Sequence, residues 1–232
     1  MTPDPLAALF AELGRLRDLA VLEEALLCRG YARVAGVDEA GRGSLAGPVV
    51  AAAVILPRGC VLPGLDDSKK VDAPVREQLA REIRARALAW GVGVVEASAI
   101  DVGDILRASL EAMRRAVTSL RPAPDALLVD AVRVPGVRLP QVSVVHGDAL
   151  SGAIAAASIV AKVHRDRLLD RLSERYPAYG FEQHKGYGTP EHWDALRRSG
   201  PCPEHRLTFH GVVPEAGGDL YPIAGRAARG RG

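Results

Sequence analysis

Two acids stand side by side in the stretch VAGVDEAGRGSLAG. Asp38 and Glu39 close an apolar run that begins at Val34, and Gly41, Arg42 and Gly43 follow them. Carboxylates at the lip of a buried strand are costly unless something compensates them. Two further acids occupy similar places. Asp130 closes the apolar run ALLVD, and Asp148 lies in VVHGDA, between an apolar run and a helical segment. Any one of the four reads equally well as a helix cap, a turn residue or a salt-bridge partner, and Asp148 sits where it would cap the helix SGAIAAASIVAKV. Together they point elsewhere. Clustered carboxylates repel one another, and a bound divalent cation relieves the repulsion. An all-oxygen donor set favours magnesium or manganese over zinc. Two such ions ~3.5–4 Å apart can bind both the attacking and the leaving oxygen of a phosphate displacement.

The residues around the acids extend this chemistry. Gly41 and Gly43 permit close backbone approach, and Arg42 between them can pair with a phosphate. The spacing G-x-x-x-x-G-K-[ST] of a nucleotide-binding loop is absent. Ser68, Lys69 and Lys70 in DDSKK can hold phosphates or form a solvated loop. HKGYGT places Lys185 and Tyr187 among glycines ahead of a helix, where a tyrosine can stack on a sugar or a base. Cys202, His205 and His210 lack a fourth ligand, so zinc is not expected. Ser44 and Ser151 have no evident histidine and acid arranged for nucleophilic work.

Hydrophobic periodicity supplies the elements that must position these side chains. Residues 5–27 carry Leu and Ala at helical spacing, with Gly14 as a weak point, and form a helical preface. YARVAGVDE and GPVVAAAVILP read as two buried strands whose short link suits antiparallel pairing. A loop over 58–71 leads to a helix capped by Asp72, with Pro74 in its first turn. WGVGVVEA is a third strand. The helix ILRASLEAMRRAVTSL follows, started by Asp101 or Asp104, with Ile105, Leu106, Leu110, Met113 and Val117 on its apolar face. Pro122 and Pro124 stop it. DALLVDAV and PQVSVVHGDA are the fourth and fifth strands. A long helix spans about Ser151 to Arg175, and after the loop YPAYGFEQHKGYG a short one runs from Thr189 to Arg198. Beyond about Val213 the composition turns to Gly, Ala and Arg, as in a disordered tail. Strands alternating with helices after an initial hairpin predict a mixed sheet covered by helices. If the first and fourth strands are parallel neighbours, Asp38 meets Asp130.

A chain of 232 residues, 48% hydrophobic, suffices for one sizeable core with a small appendage. Its net charge of +2 says nothing about a nucleic-acid site, which needs basic residues gathered on one face. Three scattered cysteines, Cys28, Cys60 and Cys202, do not make a disulfide scaffold and point to a reducing, cytoplasmic compartment. The opening MTPDPLAALFAELGRLRDL reads as amphipathic rather than as a signal segment, and no apolar stretch reaches the ~18 residues of a membrane span, so no membrane partner is expected.

In these residues the chain resembles the ribonuclease HII family, the bacterial type 2 ribonucleases H. GVDEAGRGSLAGPVVAAAVIL, DSKK, LLVDA, GDALSGAIAAASIVAKVHRDR, YGFEQHKGYGT and GPCPEHR are similar to that family's blocks and stand in its order, from about Val34 to Phe209. The resemblance implies an α/β ribonuclease H-like fold: a five-stranded mixed sheet flanked by helices, with a C-terminal helical portion. The chain then divides into a helical extension (1–30), a catalytic domain (31–212) and an Arg/Gly-rich tail (213–232). The resemblance also implies a monomeric, metal-dependent endonuclease that hydrolyses the RNA strand of RNA–DNA hybrids. It would also nick 5′ of single ribonucleotides in duplex DNA, as in ribonucleotide excision repair, leaving 5′-phosphate ends. The implied cofactor is Mg2+ or Mn2+, two ions at turnover, on Asp38, Glu39 and Asp130 with Asp148 as the fourth acid. Gly41, Arg42 and Gly43, with Tyr187, take the ribose, and Ser68, Lys69, Lys70 and Lys185 stand by as phosphate-holding candidates. Two positions depart from the pattern: His146 and Leu150 stand where lysines are expected, which thins the positive charge near the substrate path. A junction resolvase or integrase of the same fold would share the acids but not GRG and HKGYG. A hybrid-binding module without activity would gain nothing from carboxylates facing phosphates.

Overall fold

β1 (Val34–Ala40) and β2 (Val49–Ile55) are the two buried runs, and the link over residues 41–48 returns the chain antiparallel, with Asp38 opposite Ala52 and Glu39 opposite Ala51. β3 (Ala89–Val95) continues this antiparallel half beyond β2. On the other side of β1, β4 (Ala126–Asp130) and β5 (Gln141–Val144) join in parallel. The order β3-β2-β1-β4-β5 is the five-stranded mixed sheet that the alternation of strands and helices predicts. The structure, a computed structural model, describes residues 4–213. Of the expected tail over 213–232, residues 214–232 lie outside the described residues.

Both faces of the sheet are covered because β1 and β2 are apolar on both sides. Alternation sends Val37, Ala51 and Ala53 to one face, where α4 (Ala97–Val102) and α5 (Ile105–Ser119) pack. It sends Ala52 and Val54 to the other, against α3 (Ala73–Arg86) and α6 (Gly152–Arg175). Gly36 sets how closely α6 lies on β1: a Cβ there would come within 2.0 Å of the Ala153 carbonyl carbon. From Ala153 to Ala161 every residue of α6 is buried, as in a helix enclosed on all sides. A third cluster joins α6 to α7 (Phe181–His184), α8 (Pro190–Ser199) and the 41–48 link through Leu45, Ala46, Leu169, Phe181 and Leu196.

The structure refines the expected elements in several places. The preface is two helices, α1 (Pro5–Asp18) and α2 (Val21–Leu27). The chain breaks not at Gly14 but at Leu19 and Ala20, because the buried Leu19 turns its carbonyl to the amide of Gly152. On α5, Leu106 is exposed, and Ala108, Ala112 and Ala116 complete the buried face with Met113 and Val117. The short α4 and α7 lie in segments read as links. Of the two candidate starters of α5, Asp104 is the cap, accepting from the Arg107 amide at 2.8 Å. No helix among the described residues is long and apolar enough to cross a membrane.

Candidate active site

Parallel register pairs Val37 with Val129, so the residues that follow, Asp38 and Asp130, leave adjacent strands side by side at their C-terminal ends. Open α/β sheets bind ligands at such ends. Burial pushes the Asp38 carboxyl well above its usual range; the Glu39 charge adds to this, a hydrogen bond with Ser158 opposes it, and the Asp130 charge raises it further. Glu39 is also raised, first by burial, and partly relieved by Arg42, whose Nη1 donates to Oε1 at 3.3 Å. Asp130 accepts from the Gly147 amide at 2.8 Å, which ties β4 to the 3-10 turn Gly147–Ala149 that carries Asp148. Ser151, not Asp148, caps α6, accepting from the Ile154 amide at 3.1 Å, so the Asp148 carboxylate is released from that structural task.

Asp148 is raised by burial, then by the charges of Asp67 and Asp130, with Lys69 opposing; it stands within hydrogen-bonding reach of Asp67. Two carboxyls in contact require a shared proton or a cation between them. Asp67 is thus a member of the cluster that the sequence reading passed over, although it stands in the DDSKK stretch. Burial works against the Lys69 ammonium, but the charges of Asp67, Asp148, Asp38 and Asp130 outweigh it and raise its pKa. Lys69 is therefore the cation nearest in effect to the whole acidic group. Ser68 is buried, with its hydroxyl 2.9 Å from that of Ser158. The Ser158 hydroxyl donates to Ser68 Oγ. Lys70 turns outward to Asp66 at 3.5 Å.

This donor set fits a hard divalent cation. It is all oxygen, and three of its carboxyls are held at raised pKa by burial and mutual repulsion, which a cation's charge would relieve. Among the described residues no three acid, imidazole or thiol groups already close around one point. Magnesium does not require that, because it retains several waters and takes one or two carboxylates at a time.

The turn after β1 is held from beneath by two buried arginines that the sequence reading did not single out. Arg206 donates to the carbonyls of Gly41 (2.7 Å), Arg42 (2.9 Å) and Gly47 (2.9 Å). Burial, then the charge of Arg165, lower its pKa to about 9, so it is cationic at neutral pH. Arg165 donates to Pro48 O at 3.0 Å, Ser44 Oγ at 2.7 Å and Lys185 O at 2.9 Å. These peptides are trans, and in a trans peptide C=O and N–H point in opposite directions. With the Gly41 and Arg42 carbonyls turned in to Arg206, the amides of Arg42 and Gly43 point away from it. Gly41 has φ +92°, and a Cβ on it would strike Arg165 Nε at 2.0 Å. At Gly43 a Cβ would meet no atom within 4 Å. Packing within the protein demands glycine at 41 and not at 43.

Arg165 also reaches the second loop, its Cζ 5.4 Å from the centroid of the Tyr187 ring, with Lys162 Nζ at 5.6 Å. The Leu45 amide donates to Gly186 O at 2.8 Å, which joins the two loops directly. A chain of imidazoles holds Tyr187 from behind. The Cys202 amide donates to His205 Nδ1 at 3.0 Å, so that nitrogen is unprotonated and the proton is on Nε2. From there it faces His192 Nε2 at 3.0 Å, and His192 then donates from Nδ1 to the Tyr187 carbonyl at 2.9 Å. His205 is committed to this chain, and His210 is exposed. Lys185 is the candidate set apart from the acids. Its ammonium pairs with Asp170, twelve residues down α6 from Ser158, or about 18 Å at 1.5 Å per residue.

The ribonuclease HII family profile matches residues 35–212. The chain is 54% identical over 195 residues to ribonuclease HII of Geobacillus kaustophilus, spanning 84% of this chain and 75% of that one. Among solved structures it is similar to ribonuclease H2 of Pyrococcus horikoshii, with a TM-score of 0.66, 27% identity and coverage of 77% of this chain and 94% of the other. It is also similar to the ribonuclease HII solved with PCNA from Archaeoglobus fulgidus, with a TM-score of 0.63, 31% identity and coverage of 76% and 95%.

Proposed function

The chain belongs to the ribonuclease HII family and is a metal-dependent endoribonuclease, and on that premise we propose that it cuts the RNA strand of RNA–DNA hybrids and nicks 5′ of single ribonucleotides in duplex DNA. The observation that carries this reading is the parallel pairing of β1 with β4, which stands Asp38 beside Asp130 with Glu39 next in line. Asp38, Glu39, Asp130 and Asp148 would hold Mg2+ or Mn2+. Two such ions at turnover would supply charge to the attacking and leaving oxygens of the phosphodiester. Lys69 balances the acids and offers its ammonium to a phosphate. The outward amides of Arg42 and Gly43 donate to the 2′-hydroxyl, the group that distinguishes RNA from DNA. Tyr187 packs on the sugar of the next nucleotide, where a further 2′-hydroxyl would crowd the ring. An RNA-to-DNA step is then the preferred substrate, taken by a monomer.

The test is magnesium-dependent cleavage of a labelled hybrid, with DNA and RNA duplexes as controls. Asp130→Asn should lower the rate at least about 100-fold, the upper end of what losing an outer partner of a metal ligand costs, with hybrid binding retained. Near-normal turnover by that variant at ordinary magnesium would sink the assignment. Tyr187→Ala should harm cleavage at a lone ribonucleotide far more than within a long hybrid, while Tyr187→Phe keeps the packing and loses only the hydroxyl. Equal slowing of both substrates by Tyr187→Ala would make this loop a general phosphate surface.

A further inference from the structure

The helices before β1 reach two loops of the acid cluster. Glu12 accepts from the Gly64 amide at 2.8 Å, and Arg15 Nη1 donates to Leu65 O at 2.6 Å, both just ahead of Asp67 and Lys69. Leu19 O accepts from the Gly152 amide at 2.8 Å. Glu23 Oε1 accepts from Ser151 Oγ at 2.6 Å and from the Ala153 amide at 2.7 Å. A helix starts with orphan amides that need partners. At the start of α6, the Gly152 and Ala153 amides go to Leu19 and Glu23, and the Ile154 amide goes to Ser151, which Glu23 itself orients. Two of the three are therefore met by residues outside the 35–212 match. Glu23 also places a carboxyl group at the N-terminus of a 24-residue helix, whose dipole favours negative charge there and works against the burial that raises its pKa. The 3-10 turn bearing Asp148 ends at Ala149, two residues before Ser151, and the Ser151 amide closes it by donating to Gly147 O at 2.8 Å.

We propose that Glu23 is a positioning residue for the reaction: by holding the Ser151 hydroxyl and the Ala153 amide it fixes the turn that presents Asp148. This rests on reading Asp148 as an active-site acid. The 147–153 segment is anchored on one side by Asp130, which takes the Gly147 amide, and on the other by Glu23. Loss of either anchor frees the turn to swing its carboxylate away from β1 and β4.

The experiment uses the full chain with Glu23→Ala, Glu23→Gln, Ser151→Ala and, as a control on the same helix, Glu24→Ala, whose carboxylate pairs with Arg58 at the surface. Two readouts need no turnover: amide hydrogen exchange over 147–154, and calorimetric titration of Mn2+ without substrate. Glu23→Ala should speed exchange across the segment and weaken Mn2+ binding by about 10-fold, the lower end of the cost of losing an outer partner of a ligand. Glu23→Gln keeps an acceptor oxygen and should restore most of both, and Glu24→Ala should change neither. Should Glu23→Ala fail to fold, Ser151→Ala carries the test, with the same loosening expected. Unchanged Mn2+ affinity and unchanged exchange at 147–150, with only thermal stability lowered, would overturn the proposal. Asp148→Asn is measured in parallel. If it leaves Mn2+ affinity unchanged, the reading of Asp148 fails, while exchange at 147–150 in Glu23→Ala still decides whether Glu23 holds the turn.

Discussion

Arg206 donates from Nη2 to the carbonyl oxygen of Gly41 at 2.7 Å, joining residues 165 positions apart in the chain. The turn that follows the acids of β1 is thus shaped by a segment that lies far beyond it in the chain. Arg206 and Arg165 both hold it from beneath, and both are fully buried. Each is a charge whose burial is tolerable only because its N–H groups meet carbonyls or a hydroxyl.

Arg206→Lys should be destabilising despite keeping the charge. An ammonium cannot reproduce a planar fork that meets the carbonyls of Gly41, Arg42 and Gly47 at once. A buried carbonyl left without a donor costs about 1–3 kcal/mol, so a loss of at least about 2 kcal/mol is expected in urea unfolding. A change below about 0.5 kcal/mol would show that the fork is dispensable.

Gly41→Ala and Gly43→Ala should separate folding from substrate contact. Alanine at 41 meets a positive φ and the Arg165 side chain, so its melting temperature should fall. Alanine at 43 meets nothing in the protein, so Gly43→Ala should melt like the unaltered chain; on the proposed reading of this turn the added methyl would stand where the sugar approaches, so the variant should cut poorly at a lone ribonucleotide. Thermal melts with initial rates on both substrates settle it; normal cleavage by Gly43→Ala would remove this turn from the ribose site.

Without metal, stability should fall as pH rises. Asp38, Glu39 and Asp148 have raised pKa values in the folded chain, so the folded state holds their protons more tightly than the unfolded one. Their contribution is full below the unfolded values near about 4 and is lost as pH climbs through the folded ones. Asp38→Asn should therefore raise the Tm at pH 7.5 in EDTA, by a few degrees if about 1 kcal/mol is regained. Mg2+ should raise the wild-type Tm more at pH 7.5 than at pH 5. An Asp38→Asn variant that melts lower than wild type in EDTA at pH 7.5 would contradict this.

The buried imidazoles act with the opposite sign. Burial lowers His192 and His205 to about 4. A depressed pKa contributes stability that is full above the unfolded value near about 6.5 and is lost as pH falls toward the folded one, at about 1.4 kcal/mol per unit. His205→Gln can accept from the Cys202 amide and donate to His192 but cannot titrate. Its Tm deficit relative to wild type should narrow between pH 7 and pH 4.5. A deficit constant with pH would mean that His205 does not stay neutral in the folded chain.

What the sequence determined by itself is whatever depends on local periodicity and on residue type at a strand end. The apolar runs around Val37, Ala52 and Val129 define three strands whatever else the chain does, and the short link at 41–48 admits little but an antiparallel return. Four acids just past apolar runs raise the expectation of a cation site from residue type and position alone. Leu106 fits the apolar stripe by spacing yet lies exposed, because a leucine beside Ile105 satisfies helical spacing as well as Ala108 does, and only the packed sheet decides which stripe faces inward. What tertiary structure alone decided is partnership across long separations. Arg165 and Arg206 look like surface arginines in sequence; burial beneath the 41–48 link makes them its frame. Asp67 enters the acid cluster because its loop folds against Asp148, and Glu23 finds Ser151 128 residues away. A residue's type limits which hydrogen bonds and charges it can offer, but desolvation and neighbouring charge depend on distance in space, and chain order does not encode that distance for residues so far apart.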